Sequence, residues 1–356
     1  EPGQDGYITV DGRRLLNLCS NDYLGISASL GIPTRGPAGI AGATGSRMIV
    51  GNHPDYGRLE GRMAELQQTE AALVFNSGYM ANTGVIPAVA GRNDAIFADR
   101  LVHASIIDGI RLSGARLFRY RHLDSANLET LLQAHDGFRR RLIITESIFS
   151  MDGDLAPLAA IVELKDRYRT MLMVDEAHSA GVRGPEGAGL VRELDLGGGA
   201  DIWMGTFGKA YGTFGACVCG EKRLIDYLVC HARTHIFATG LPPDVVNNTL
   251  RAVEKVCAED ALRDRLRENG ARFREGLRAA GMDIGDSESH IIPVIIGEDA
   301  AVLEFGEKLE QAGILAVAIR PPTVPEGTAR VRFTIMATHS PDDIDLAVAA
   351  IAQAKG

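Results

Sequence analysis

Met171-Leu172-Met173-Val174-Asp175-Glu176-Ala177-His178 sets four apolar residues, the length of a short buried strand, directly against two acids and a histidine. A strand buried on both faces reads as a continuous apolar run rather than an alternation, the texture of a parallel sheet covered by helices. The same texture recurs outward from it. Ala72-Leu73-Val74-Phe75, Ala95-Ile96-Phe97-Ala98 and Leu142-Ile143-Ile144-Thr145 precede it, and Asp201-Ile202-Trp203-Met204 follows. Between the third of these runs and Met171, residues 157–168 carry Leu158, Ile161, Val162 and Leu164 with charges between them, an amphipathic crossover helix. Strands alternating with helices in this way predict the α/β class with a mostly parallel central sheet.

After Pro242-Pro243 the texture changes to long, charge-rich helical patterns as far as about residue 281. Candidate strands then follow at His290–Ile296, Leu315–Ile319 and Arg330–Ile335, which predicts a smaller C-terminal α+β domain. Its last helix has a readable start: Ser340 as N-cap, Pro341 at the first helical position and Asp343 three residues after the cap. The expected organisation is an N-terminal segment over 1–40, a large domain over 41–240 and the α+β domain over 241–356. The stretch from Ile26 to Ala43 is rich in Gly and Pro.

The 356 residues hold 37 Lys and Arg against 46 Asp and Glu, a formal charge of −9. Such a surface lacks the means to neutralise a phosphate backbone, which argues against nucleic acid as a partner. Hydrophobic residues at 46% and charged residues at 23% match a soluble globular chain, and no stretch approaches the 18 apolar residues of a membrane span. The five cysteines are scattered with no CxxC pair, so no metal site is expected, and a reducing, cytoplasmic setting is. Cys217 and Cys219 read as core fillers sharing one face of a strand. No targeting signal is visible at Glu1.

In an open α/β sheet a ligand sits outside the carboxyl ends of the strands, so the residues following each run carry the chemistry. Ser77-Gly78-Tyr79 follows the first run, where a small residue and a glycine let backbone close on a ligand and a new helix offers unpaired N–H groups to an anion. His103 follows the second run, Ser147 and Ser150 the third, Asp175 and His178 the fourth, and Thr206-Phe207-Gly208-Lys209 the fifth. An anion cradle, a carboxylate for a ring nitrogen, a flat group to stack and an amine for a Schiff base together suit pyridoxal 5′-phosphate (PLP). Asp175 is the carboxylate and Lys209 the amine.

Asp175-Glu176-Ala177-His178 also spells a helicase motif in which acids hold Mg²⁺ beside ATP. That reading requires GxxxxGK[ST] upstream; here the Gly208-Lys209 pair follows the acids, and Ala210 supplies no hydroxyl. A Rossmann oxidoreductase would need GxGxxG opening a first βα unit, which is absent.

Taken with Leu18-Cys19-Ser20-Asn21-Asp22-Tyr23-Leu24-Gly25, Gly45-Ser46-Arg47, residues 149–154 (Phe-Ser-Met-Asp-Gly-Asp) and residues 319–325 (Ile-Arg-Pro-Pro-Thr-Val-Pro), these motifs resemble the α-oxoamine synthase family of fold-type I PLP-dependent transferases. The resemblance covers nearly the whole chain. It implies that Lys209 bonds the cofactor and later moves the Cα proton, Asp175 pairs with the pyridine nitrogen and His103 stacks on the ring. His178 and Ser150 would face the ring's phenolic oxygen. Ser77, the backbone of Gly78 and Tyr79 and the Thr206 hydroxyl would hold the phosphate, with Thr239 reaching in from a neighbouring subunit. Asn21, Thr323 and Arg332 would bind substrate, and a homodimer with shared active sites is implied. The implied reaction joins L-alanine to a pimeloyl thioester, carried on coenzyme A or an acyl carrier protein, in biotin biosynthesis. Its rivals are the glycine–acetyl, glycine–succinyl and serine–long-acyl reactions of the same family, and a catalytically silent regulatory paralogue.

Overall fold

The computed structural model describes residues 3, 5–31 and 41–355; residues 32–40, within the Gly/Pro-rich stretch, lie outside the described residues. Thirteen strands are described. They are β1 (Tyr7–Val10), β2 (Arg13–Asn17), β3 (Ala71–Phe75), β4 (Ala95–Asp99), β5 (Arg116–Tyr120), β6 (Arg141–Glu146) and β7 (Met171–Asp175), then β8 (Ile202–Thr206), β9 (Ala216–Gly220), β10 (Ile291–Gly297), β11 (Ile314–Leu315), β12 (Val317–Ile319) and β13 (Ala329–Thr334). By internal contacts the chain forms two compact units. The larger comprises Leu30–Ile148 and Ala156–Ala258, and the smaller comprises Glu1–Ser29, Phe149–Leu155 and Glu259–Gly356.

The large unit is built on a seven-stranded sheet in the order β3-β9-β8-β7-β6-β4-β5. Pairs β4–β5, β4–β6, β6–β7 and β7–β8 are parallel, and β9 runs antiparallel to both β3 and β8. The sheet is therefore mostly parallel, as its apolar runs imply. Every residue of β4, β8 and β9 is buried. Cys217 and Cys219 lie in that interior with their sulfurs 3.9 Å apart, as two residues on one strand face must. The expected crossover helix spans Leu158–Tyr168 and buries Leu158, Ile161 and Leu164.

One strand of this sheet, β5, was not among the expected runs. In β5, Arg116 and Arg119 are exposed and break the apolar texture, because β5 is an edge strand and an edge tolerates charge. β9, Ala216-Cys217-Val218-Cys219-Gly220, carries the two cysteines expected on one strand face and is buried throughout.

The small unit carries two three-stranded sheets, β10-β13-β12 and β1-β2-β11. The expected strand Leu315–Ile319 divides at Ala316, with Ile314–Leu315 pairing parallel to β2 and Val317–Ile319 antiparallel to β13. The last helix, Pro341–Lys355, starts as read: the Ser340 N–H donates to Asp343 Oδ2 at 2.9 Å and the Asp343 N–H donates to Ser340 Oγ at 3.2 Å. Helix Pro243–Ala258 groups with the large unit, where it packs on helix Pro54–Gln67, whereas an expected boundary stands at 240/241.

Phe149–Leu155 is held to the small unit by an ion pair. Arg330 Nη1 donates to Asp152 Oδ1 at 2.5 Å with the guanidinium 4% exposed. Gly153 has φ +71°, and a β-carbon there would lie 1.8 Å from the Ile291 carbonyl oxygen, so both conformation and space demand glycine.

His339 is a neutral lock within the small unit. Its Nε2–H donates to the Asn17 carbonyl at 3.1 Å while Nδ1 accepts the Met336 N–H at 3.1 Å, and burial pushes its pKa down to about 4. The folded value lies below the ordinary 6.5, so the stability is fully present above pH 6.5 and is lost as pH falls through the window towards 4. The loss expected at pH 5 is roughly 2 kcal/mol. Thermal melts at pH 7 and pH 5 should show a smaller drop in Tm for His339→Gln than for the parent; equal drops would refute this assignment of the proton linkage.

Candidate active site

In-register residues of adjacent parallel strands project to the same face. Glu146 stands opposite Asp175 at the ends of β6 and β7, and Asp175 opposite Met204 in β8. All three line one cavity, together with Gly78, Tyr79, Asn82, His103, His178, Thr206 and Lys209. The cavity lies wholly in the large unit, at the carboxyl ends of the strands where an open α/β sheet places its ligand.

Each wall has a local cause. Helix Gly78–Val89 begins at Ser77, whose hydroxyl accepts the Met80 N–H at 3.2 Å, so Ser77 serves as the N-cap. The Gly78 and Tyr79 N–H groups lie in the first turn, where no preceding helical carbonyl reaches them. A β-carbon at Gly78 would sit 3.7 Å from Thr206 Cβ, so the helix start and the Thr206 side chain border the same space. Thr206 Oγ1 donates to the Gly215 carbonyl at 3.0 Å and accepts from Gly208 N–H at 3.3 Å, which holds the turn leading to Lys209.

Lys209 Nζ lies 2.7 Å from His178 Nε2. Asp175 is 4% exposed, and both its oxygens have donors: Oδ1 accepts the Ala177 N–H and Oδ2 the Asn82 amide, each at 2.9 Å. His103 caps helix Ala104–Ser113, and its backbone N–H donates to Glu146 Oε1 at 2.5 Å. Burial, and then the Asp175 charge, push the Glu146 carboxyl well above the usual range. Partial burial lowers the pKa of His103 below the ordinary value; the Asp175 charge opposes this and Lys209 reinforces it.

The structure thus brings together Lys209, Asp175, His103, His178, Gly78, Tyr79 and Thr206. Thr239, also in the large unit, accepts from Asn76 Nδ2 through its carbonyl at 2.7 Å and forms a bridge with Ser46. Asn21, Ser150, Thr323 and Arg332 belong to the small unit. There Arg332 Nε donates to the Ser150 carbonyl at 2.6 Å and Nη2 to Asn21 Oδ1 at 3.5 Å, whereas Thr323 is exposed in the turn after β12. Among the described residues, no group of three His, Cys, Asp or Glu side chains is arranged to hold a metal ion. No described helix is long and apolar enough to cross a membrane.

Asn82, Ser105 and Glu146 also line the cavity, without having been assigned a role from sequence. The available signal was a single polar residue, Asn82, on the buried side of a mostly apolar helix, four residues after Gly78.

Glu176, beside Asp175, does structural work. It is 0% exposed and accepts from the N–H groups of Leu190 and Val191 and from Trp203 Nε1 at 2.8, 3.1 and 2.6 Å. Gly189, at φ +107°, passes so close that a β-carbon would lie 1.9 Å from Glu176 Oε2. Glu176→Ala should leave three donors unpaired and destabilise by about 3 kcal/mol or more, read from denaturant midpoints; a change below about 1 kcal/mol would contradict the clamp.

The model of the family described as "Aminotransferase class I and II" matches residues 13–351. An 8-amino-7-oxononanoate synthase of Citrifermentans bemidjiense is 47% identical over 355 residues, covering 98% of this chain and 91% of its own. Among solved structures, the serine palmitoyltransferase of Sphingomonas wittichii superposes with a TM-score of 0.94 at 30% identity, over 98% of this chain and 89% of its own. The 8-amino-7-oxononanoate synthase of Francisella tularensis gives 0.82 at 29% identity, over 95% and 97%. The chain belongs to the aminotransferase class I and II family.

Proposed function

We propose that this chain is a PLP-dependent acyltransferase that condenses L-alanine with a pimeloyl thioester, releasing CO₂ and free thiol and giving 8-amino-7-oxononanoate for biotin synthesis. The reading is carried by one cavity that presents an amine, a doubly held carboxylate, an open imidazole and a helix N-terminus. It is supported by the 47% identity to a named 8-amino-7-oxononanoate synthase, against 30% to a serine palmitoyltransferase.

The residues fit PLP by the chemistry of the donor set. The Gly78 and Tyr79 N–H groups suit a phosphate, the Thr206 hydroxyl would join them by turning its hydrogen from the Gly215 carbonyl, and the Asp175 carboxylate suits a protonated ring nitrogen. Asn82 Oδ1, buried without a hydrogen-bond partner, leaves one acceptor at the cavity wall. When bound, PLP supplies an electron sink that stabilises negative charge on the carbon next to the substrate's amino group.

The chain's own groups do the rest. Lys209 Nζ takes the proton from the amino acid's α-carbon, and His178 Nε2, 2.7 Å away, orients that amine. Asp175, fixed by Ala177 and Asn82, keeps a proton on the ring nitrogen. His103 covers the ring face. In the small unit, Arg332 is the candidate for the substrate carboxylate, where a guanidinium makes a bidentate pair, with Asn21, Ser150 and Thr323 as further substrate or cofactor contacts. A homodimer sharing Thr239 between subunits, a cytoplasmic location and either coenzyme A or an acyl carrier protein as acyl carrier complete the proposal.

The deciding experiment incubates PLP-loaded protein with alanine, glycine or serine and the pimeloyl, acetyl or palmitoyl thioester, and identifies products by mass. Alanine with pimeloyl thioester should dominate; a glycine–acetyl product in its place would reassign the substrate. Borohydride reduction and peptide mapping should place the cofactor's mass on Lys209, and Lys209→Ala should lose turnover while melting as the parent does. A mass on another lysine would overturn the assignment. Asp175→Asn should keep the fold and lose activity by a factor of about 100 or more, since the ring nitrogen loses its counter-charge; unchanged rates would mean another group serves it.

A further inference from the structure

A continuous hydrogen-bonded chain runs beneath the cavity. His103 Nδ1 is 2.7 Å from Ser105 Oγ, Ser105 Oγ is 2.9 Å from Asn82 Nδ2, and Asn82 Nδ2 is 2.9 Å from Asp175 Oδ2. Asn82 and Ser105 are each 1% exposed.

The directions in this chain follow from which atoms carry hydrogens and from one backbone N–H. An amide nitrogen only donates, so Asn82 gives one hydrogen to Ser105 and the other to Asp175. The reverse amide orientation would set an oxygen against a carboxylate. Keeping both donors in use leaves Asn82 Oδ1 buried and unpaired, a cost the site tolerates. The Ser105 backbone N–H donates to His103 Nδ1 at 3.2 Å, which makes that nitrogen an acceptor, so the Ser105 hydroxyl 2.7 Å away gives it its own hydrogen while accepting from Asn82. Two donors facing Nδ1 leave no room there for a proton.

We infer that Asn82 and Ser105 are positioning residues that hold His103 as the neutral Nε2–H tautomer and tie its ring to the Asp175 carboxylate. The lowered pKa of His103 agrees with this. The other ionisable groups around it are Asp175 at the end of β7, Lys209 after β8, His178 after β7 and Glu146 at the end of β6, which takes the His103 backbone N–H. The tautomer belongs to the chain alone; its use rests on the PLP reading, in which an uncharged imidazole covers the ring without competing with it for Asp175.

The test is long-range ¹H–¹⁵N NMR of the 356-residue protein labelled at histidine, without and with PLP, the His103 signal being identified by its loss in His103→Asn. Without PLP, His103 should show the neutral Nε2–H pattern at pH 7. Ser105→Ala should move its titration midpoint upward by about one pH unit, because a hydrogen bond to the neutral form is gone. Ser105→Thr, which keeps the hydroxyl, should restore the parent midpoint. An Nδ1–H pattern or an imidazolium at pH 7 in the parent would overturn the inference, and so would a Ser105→Ala midpoint equal to the parent's. If Ser105→Ala does not fold, the parent pattern decides. The PLP arm tests the other reading separately: a His103 signal unmoved by saturating PLP would sink the cofactor assignment even with the expected tautomer in place.

Discussion

A carboxylate at the end of a buried strand has to find hydrogen-bond donors or give up its charge, and most of the active-site geometry follows from how Asp175 meets that demand. One oxygen takes the N–H of the turn that carries His178 towards Lys209; the other takes the amide of Asn82 from the helix that starts at Ser77. Two elements that approach the sheet from different crossovers are thereby fixed to one side chain. The neighbouring strand end offers a second carboxyl, Glu146, which burial keeps from ionising in the usual range. That second acid pins the backbone of His103 through its N–H.

The buried carboxylate one residue further on shows the same rule put to another use. Glu176 spends its oxygens on two backbone N–H groups and an indole, and so shapes the loop through Gly189 rather than any chemistry. Adjacent acids on one turn thus serve a site and a scaffold, and only the strand alternation, which points them to opposite sides, distinguishes them.

The parts of the molecule legible in the sequence were those where one physical signal dominates. Continuous apolar runs gave β3, β4, β6, β7 and β8, and of the residues read at or after their ends Gly78, Tyr79, His103, Asp175, His178, Thr206 and Lys209 line the cavity, whereas Ser77 and Ser150 do not. The cap of the last helix was equally readable, since Ser340 and Asp343 satisfy each other locally. Where charge dilutes the pattern, as in β5, the strand disappears into its surroundings. The hairpin β1–β2 was missed although Asp11-Gly12, with φ of 48° and 77°, is the turn chemistry such hairpins favour. Asn82 and Ser105 were opaque for a different reason: their importance lies in partners 93 and 23 residues away from Asn82, and a single sequence carries no trace of such pairings.

The small unit is assembled from both ends of the chain and a seven-residue passage from its middle, and the parallel pairing of Leu16 with Ile314 closes one of its sheets. During synthesis, β2 leaves the ribosome almost three hundred residues before the strand that completes its ladder. The large unit has all of its strands in hand well before then. Translation therefore imposes an order of assembly: the sheet that bears the lysine matures first, while an unfinished edge near the amino terminus waits for the last fifty residues to emerge.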